Sequence, residues 1–268
     1  ESQMQFQSIS APRRSLLPDW LTDSDGRVMI GAAAALFLVL WILPVPLAAM
    51  PEPIGPAAVQ FGKGARMTIL LTITSGSLGL VAGVVVALMR LSRNRWLQHV
   101  AGFYLWIIRG TPLLVQILFV YFALPALLPG LELSDFWSAV LALSLNVGAY
   151  NSEVIRAGLV GVPRGQREAA QALGLSPLYA LVLVILPQAI RLCLPPLVNN
   201  MVSLLKDSSL AYVIGVVELS LVGNRVQAES FRPVPVFIAV AGIYLTLTTL
   251  LTAFSHALEQ RLARSTVR

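Results

Sequence analysis

Uncharged apolar runs alternate with short polar, arginine-bearing segments along most of this chain. Val28 to Met50 carries no charge and holds Pro44 and Pro46 near its end. Met67 to Met89 is uncharged and rich in Gly and Thr, a composition common in helices packed inside membranes. Trp96 to Ile108 is apolar, Arg109-Gly110-Thr111-Pro112 interrupts it, and Leu113 to Leu131 resumes it. This pattern predicts one span over 97–126 with an irregular or kinked entry at Gly110 and Pro112. Phe136 to Ser152 is uncharged, with helix expected to about Ile155, and Pro233 to Leu258 is a long uncharged run. Between them, Pro177 to Ile190 and Leu192 to Leu205 are apolar but short. About 20 apolar residues cross a bilayer as a helix. The pattern therefore predicts an all-α membrane protein with about six transmembrane helices. Pro187, Pro195, Pro196, Lys206 and Asp207 interrupt region 177–232, which predicts discontinuous helices there. Irregular backbone at membrane depth is tolerated where it lines a cavity, so this region is also the first place to look for function.

Composition supports the membrane class. Of 268 residues, 56% are hydrophobic and 12% charged, against about 25% charged in ordinary soluble domains. The net charge of +6 sits in clusters between apolar runs. Such clusters set membrane orientation, and no basic face with accessible aromatics suggests nucleic acid. Placing the tail of Arg13, Arg14 and Arg27 inside puts three other clusters inside as well: Arg90, Arg93 and Arg95; Arg156, Arg164 and Arg167; and Arg261, Arg264 and Arg268. Glu52, Glu132, Asp135, Glu218 and Glu229 fall outside. Both termini are thus expected in the cytoplasm of a multi-pass inner-membrane protein, with tails at 1–27 and 263–268. No signal-cleavage pattern follows the first tail, so the first run reads as an anchor or true span. One cysteine, Cys193, and two distant histidines, His99 and His256, exclude a disulfide framework and a Cys₂His₂-type zinc site. Neither a Gly-x-x-x-x-Gly-Lys-Ser/Thr loop nor a His-Glu-x-x-His motif occurs, so no cofactor or catalytic residue is expected on this chain.

The polar segment from Val162 to Ser176 is helix-friendly and lies between two runs. Pro163 suits a helix start, and Gly174 suits its end. Ser176-Pro177 then suits a second start. A short helix, a glycine turn and another helix would make a knob on the cytoplasmic face. Ala169, Ala170 and Ala172 would let a partner approach closely. Local physics alone fits an ordinary amphipathic loop helix equally well.

Glu168-Ala169-Ala170, then Gly174, then Ile185-Leu186-Pro187 resembles the EAA loop of bacterial ABC-transporter permeases. Arg109 to Gln116 is similar to the corresponding segment of the polar amino acid branch, which includes histidine, arginine, glutamine and glutamate permeases. So are Asn146 to Tyr150 with Glu153 and Arg156 to Gly158, and Leu204 to Leu210 with Val213 to Gly215, Glu218 and Leu219. The resemblance runs from about residue 60 to 262. It implies a type I importer core of five spans over 60–262, with a cytoplasmic coupling loop at 161–187. Many members lack a run like 28–50, which is therefore an extra N-terminal span. The resemblance further implies ATPase-coupling roles for Arg167, Glu168, Ala169, Ala170 and Gly174. Its partners would be a second permease protomer, identical or related, and two ATP-binding cassette subunits holding ATP and Mg. A periplasmic or extracellular amino acid binding protein, the amino acid and membrane lipid complete the set. An ion-coupled secondary amino acid transporter is the alternative reading.

An amino acid zwitterion needs an anionic partner for its ammonium and a cationic or N–H partner for its carboxylate. Lys206-Asp207 offers both charges in an uncharged stretch, with Asn200, Ser203 and Ser208 nearby and Asn146 on another span. Ionisable residues at membrane depth mark pathways, so these six are the candidate pathway residues. The competing reading makes Lys206 and Asp207 an interfacial pair. Asn151 is expected to bond a neighbouring helix. Glu153 and Arg156 are expected to pair along one helix face. Arg109 is expected to snorkel or pair near the inner boundary.

Overall fold

The computed structural model of the protein describes residues 24–264, and helices carry nearly all of that length. Most of the two expected tails lies outside the described residues. In chain order the helices are α1 (Ser24–Ile42), α2 (Pro44–Ala48), α3 (Ala58–Leu91), α4 (Arg95–Gly110), α5 (Leu113–Leu118) and α6 (Leu124–Leu127). There follow α7 (Asp135–Gly161), α8 (Arg164–Ala172), α9 (Pro177–Ala180), α10 (Leu186–Asp207), α11 (Leu219–Ser230) and α12 (Pro233–Arg264). Phe119–Ala123 and Leu181–Ile185 are π-helical links, and Ser208–Ile214 is a 3₁₀ turn.

Four stretches are long and apolar enough to cross a membrane: Ile30–Ala48, Ala58–Leu91, Pro177–Ile214 and Pro233–Leu258. The pair Arg95–Gly110 and Leu113–Leu127 would make a fifth if it is one span. The 27-residue α7 is about 40 Å long, enough to span, but Asn146, Asn151 and Glu153 lower its hydropathy. The expected six crossings are reached only by counting both the bent pair and α7.

Over 97–126 the irregular entry expected at Gly110 and Pro112 is present as a sharp bend of 110° between two helices. Pro112 disfavours helical backbone at the residue before it, and Thr111 is extended (φ −119°, ψ 147°). Region 177–232, expected to be discontinuous, is one helical run from Pro177 to Ile214 and breaks at 215–218 before α11. Pro195 and Pro196 sit inside α10 without breaking it, and the irregular turns lie at 181–185 and 208–214 instead.

The centre of the fold is the seam between α3 and α7, which pack over most of their lengths. Gly79, Gly83 and Gly148 make it possible. A Cβ at Gly83 would lie 2.8 Å from Asn151 Cβ and 3.2 Å from Gly148 O. Small residues at such crossings let backbones approach where lipid offers no hydrophobic drive. α10 packs on the seam through α7, and α12 packs on α10.

The extra span α1 rests on α12 and reaches α3. Pro44 has no N–H to give the carbonyl four residues back, Leu40 O. The Arg66 guanidinium of α3 donates to that oxygen at 3.0 Å and sits 5.3 Å from the Trp41 ring centroid. Gly62 leaves room for the Pro44 ring. The span is thus fixed to the core by a proline, the carbonyl it frees and a cation that serves it.

The seam generates a stability prediction. Gly83→Leu should destabilise the protein by about 2 kcal/mol through overpacking. Thermal unfolding of the purified protein in detergent should show a lowered midpoint, and an unchanged midpoint would mean the helices separate freely there.

Candidate functional site

The bend at Thr111-Pro112 leaves carbonyls without partners, and one side chain answers them. Pro112 cannot donate to Ile108 O. Gln116, mostly buried on α5, donates through Nε2 to Ile108 O at 2.7 Å and to Thr111 O at 3.1 Å. Its Oε1 accepts from Asn146 Nδ2 of α7 at 3.0 Å. One amide thus closes the bend and ties it to the central helix. A second amide pair, Asn200 Nδ2 to Asn151 Oδ1 at 2.8 Å, ties α10 to α7. Asn151 therefore bonds a neighbouring helix, as expected.

Between these two amide pairs lies a cavity of about 460 Å³. Thr111, Pro112 and Leu113 line it from the bend, Asn146 and Tyr150 from α7, and Asn200, Ser203 and Asp207 from α10. Four of the six candidate pathway residues, Asn146, Asn200, Ser203 and Asp207, are thereby brought together. Lys206 and Ser208 are not. Successive helical residues point about 100° apart, so Lys206, adjacent in sequence, is exposed away from this cavity and forms no ion pair with Asp207 among the described residues. Ser208 is fully buried, and its Oγ donates to Leu205 O at 2.8 Å. Of the pair Lys206 and Asp207, only Asp207 lines this cavity.

Tyr150 also lines a neighbouring, more open cavity of about 550 Å³ with Arg90, Arg109 and Glu153. The Arg109 guanidinium stands 5.5 Å from the Tyr150 ring centroid. Glu153 is held by Arg156 at 2.9 Å, the expected i, i+3 pair. A polar track therefore runs along α7, from Asn146 past Tyr150 to Glu153. Gln116 was missed as a site residue; its signal was a lone amide four residues after a proline in an apolar run.

Glu218, expected on the outer side, is fully buried. Its carboxylate accepts from the Ser220 and Leu221 N–H groups, each at 2.8 Å, and from Tyr244 OH at 2.9 Å. It caps α11 and bonds α12. The next residue's N–H donates to Thr68 Oγ1 of α3 at 3.3 Å, so three helices meet at this point.

At the arginine-rich end, α8 runs from Pro163 to a close at Gly174 (φ +77°). The Leu175 N–H bonds Ala170 O at 3.1 Å and the Gly174 N–H bonds Gln171 O at 2.9 Å, a Schellman ending that favours glycine. Ser176 occupies the cap position before Pro177 but makes no capping hydrogen bond. Arg167, Glu168 and Ala169 are exposed. Ala170 is not a partner-facing residue: it is 2% exposed on a helix that packs on the π turn at 181–185. Gln188 Nε2 of α10 donates to Gln166 Oε1 of α8 at 3.2 Å. Leu173, 81% exposed, stands at the end of α8.

Comparison with known proteins identifies the class. Residues 79–264 match the family described as binding-protein-dependent transport system inner membrane component. The glutamine transport system permease protein GlnP of Escherichia coli (strain K12) is 39% identical over 209 residues, which cover 78% of this chain and 95% of that protein. The L-cystine transport system permease protein TcyB of Bacillus subtilis (strain 168) is 44% identical over 202 residues, covering 75% and 86%. Among solved structures, an amino acid ABC transporter crystallised with histidines superposes with a TM-score of 0.72 at 36% identity, covering 77% of this chain and 95% of that one. The inward-facing MetNI methionine ABC transporter, at 20% identity and a TM-score of 0.68 over 80% and 99%, shares the fold.

The chain belongs to the family of binding-protein-dependent transport system inner membrane components. It is a multi-pass transport permease, not an enzyme, and the family decides against the ion-coupled secondary transporter.

The bend carries a testable cost. Gln116→Leu strands Ile108 O and Asn146 together and should destabilise the protein by about 2 kcal/mol or more. Gln116→Glu keeps the acceptor but loses the donor to Ile108 O, and should fall between. Equal thermal midpoints for the three proteins would show that the bend holds without this amide.

Proposed function

We propose that this chain is the permease subunit of an ATP-driven importer of polar or charged amino acids in the bacterial inner membrane, and that the cavity at Asp207 receives the substrate. The observation that carries the proposal is the convergence of one carboxylate, two amides, two hydroxyls and a phenol on a cavity between three helical segments. The carboxylate of Asp207 suits the substrate ammonium. With Lys206 directed elsewhere, Arg109 beyond Tyr150 is the nearer candidate for the carboxylate along the polar track. Relatives named for glutamine, L-cystine and arginine transport support the substrate class.

The chain has no recognisable motif for hydrolysing ATP, so the energy comes from elsewhere. Two ATP-binding cassette subunits carrying ATP and Mg would dock on the knob at 161–187 through Arg167, Glu168, Ala169 and the turn at Gly174. A second permease protomer would face the cavity, and an external binding protein would deliver the amino acid. The arginine clusters support a cytoplasmic knob and cytoplasmic termini. Transport is then alternating access: ATP binding favours one arrangement of the helices and hydrolysis releases the other.

Uptake by liposomes holding this chain with its ATPase subunit and binding protein tests the reading. Asp207→Asn should lower ATP-dependent amino acid uptake about tenfold while the complex stays assembled. Glu168→Lys should leave insertion intact and weaken ATPase docking. Uptake at the wild-type rate by Asp207→Asn would remove the cavity from the pathway, and undisturbed docking of Glu168→Lys would remove the knob from coupling.

A further inference from the structure

Another cavity, larger than the polar one, lies elsewhere in the described chain. It is a groove of about 940 Å³ at the arginine-rich end, and neither Asp207 nor Asn200 lines it. Val84 and Leu88 of α3, Leu159 of α7, Val182 of the π turn, and Leu186 and Ile190 of α10 form its walls. The π turn at 181–185 widens the helix where it meets the groove, a distortion often found at functional places. Two of its walls, α3 and the run from Pro177, are apolar enough to cross a membrane.

Arg164 and Arg167 of α8 are the only charged residues lining this groove. They stand at i and i+3, on one face of the helix, and both are exposed. Neither forms an ion pair among the described residues, and no carboxylate lines the groove to balance them. An apolar slot with two uncompensated guanidinium groups at its polar end matches the form and charge of one lipid. Acyl chains fill the slot, and the phosphate sits where guanidinium donors can bond its oxygens in pairs.

We propose that this groove binds a single anionic phospholipid from the adjoining leaflet, with its phosphate held by Arg164 and Arg167. The site rests on the membrane setting of the helices and not on which solute is carried. It has a mechanical consequence: α8 also carries Glu168, so the lipid clamps the knob helix to α10 and the π turn. A zwitterionic lipid offers the same phosphate but brings its own ammonium, which offsets the charge the two arginines would neutralise and so weakens the clamp.

Native mass spectrometry of the full chain, purified in mild detergent and titrated with phosphatidylglycerol or phosphatidylcholine of matched acyl chains, tests this. One phosphatidylglycerol should stay bound in preference to phosphatidylcholine. Arg164→Gln and Arg167→Gln should each reduce that preference roughly fivefold. Leu186→Trp, which fills the slot without touching charge, should lower retention of both lipids. Equal retention of the two lipids, or retention indifferent to all three variants, overturns the proposal. So does a disulfide joining two copies through Leu186→Cys in a Cys193→Ala background, which would show a second chain in the groove.

Discussion

A backbone carbonyl deprived of its helical partner inside an apolar phase must find another donor, and this fold is arranged around that need. Proline creates the need at each decisive place. Pro112 frees Ile108 O, and Gln116 serves it while reaching Asn146. Pro44 frees Leu40 O, and Arg66 serves it while holding the extra span on the core. In both cases the donor comes from a different helix than the carbonyl. A local defect therefore becomes a tertiary link, and the polar cavity opens beside the first of these links. The bend needed to make room is the same feature that demands a polar residue within it.

The apolar runs, the arginine clusters and the helix–glycine–helix pattern at 162–176 were legible because each is local. Periodicity and composition report what a residue does within its own segment. Partners across segments leave no such trace. Nothing near Lys206 and Asp207 in the sequence says that the two point to different surroundings; only their helical rotation separates them. Charge patterning assigned Glu218 a side of the membrane but not its burial, because its partners are the start of its own helix and Tyr244, 26 residues on. Ala170 read as an open docking surface because the packing of α8 on the π turn joins residues that no short motif connects. Pro195-Pro196 read as a break, yet α10 absorbs both prolines and stays helical. Propensity gives way there to the packing of α10 between α7 and α12.

That continuity gives the fold its lever. α10 holds Gln188 near its start and Asp207 at its end, so one helix reaches from the knob to the cavity, roughly 28 Å at helical rise. A broken helix at Pro195 would uncouple the two. As it stands, a tilt imposed on α8 acts on α10 through Gln166 and Gln188 and through the π turn. The far end of α10 then moves against α7, whose seam with α3 is too closely packed to follow. The contacts able to change are the amide pairs at the cavity, Asn200 with Asn151 and Asn146 with Gln116. Each is a single hydrogen bond, worth about 1 kcal/mol net. The overpacking cost at the glycine seam is larger, about 1–3 kcal/mol for each misplaced group. On the proposed reading, movement would be directed to the cavity, where exchanging one amide partner for another costs little.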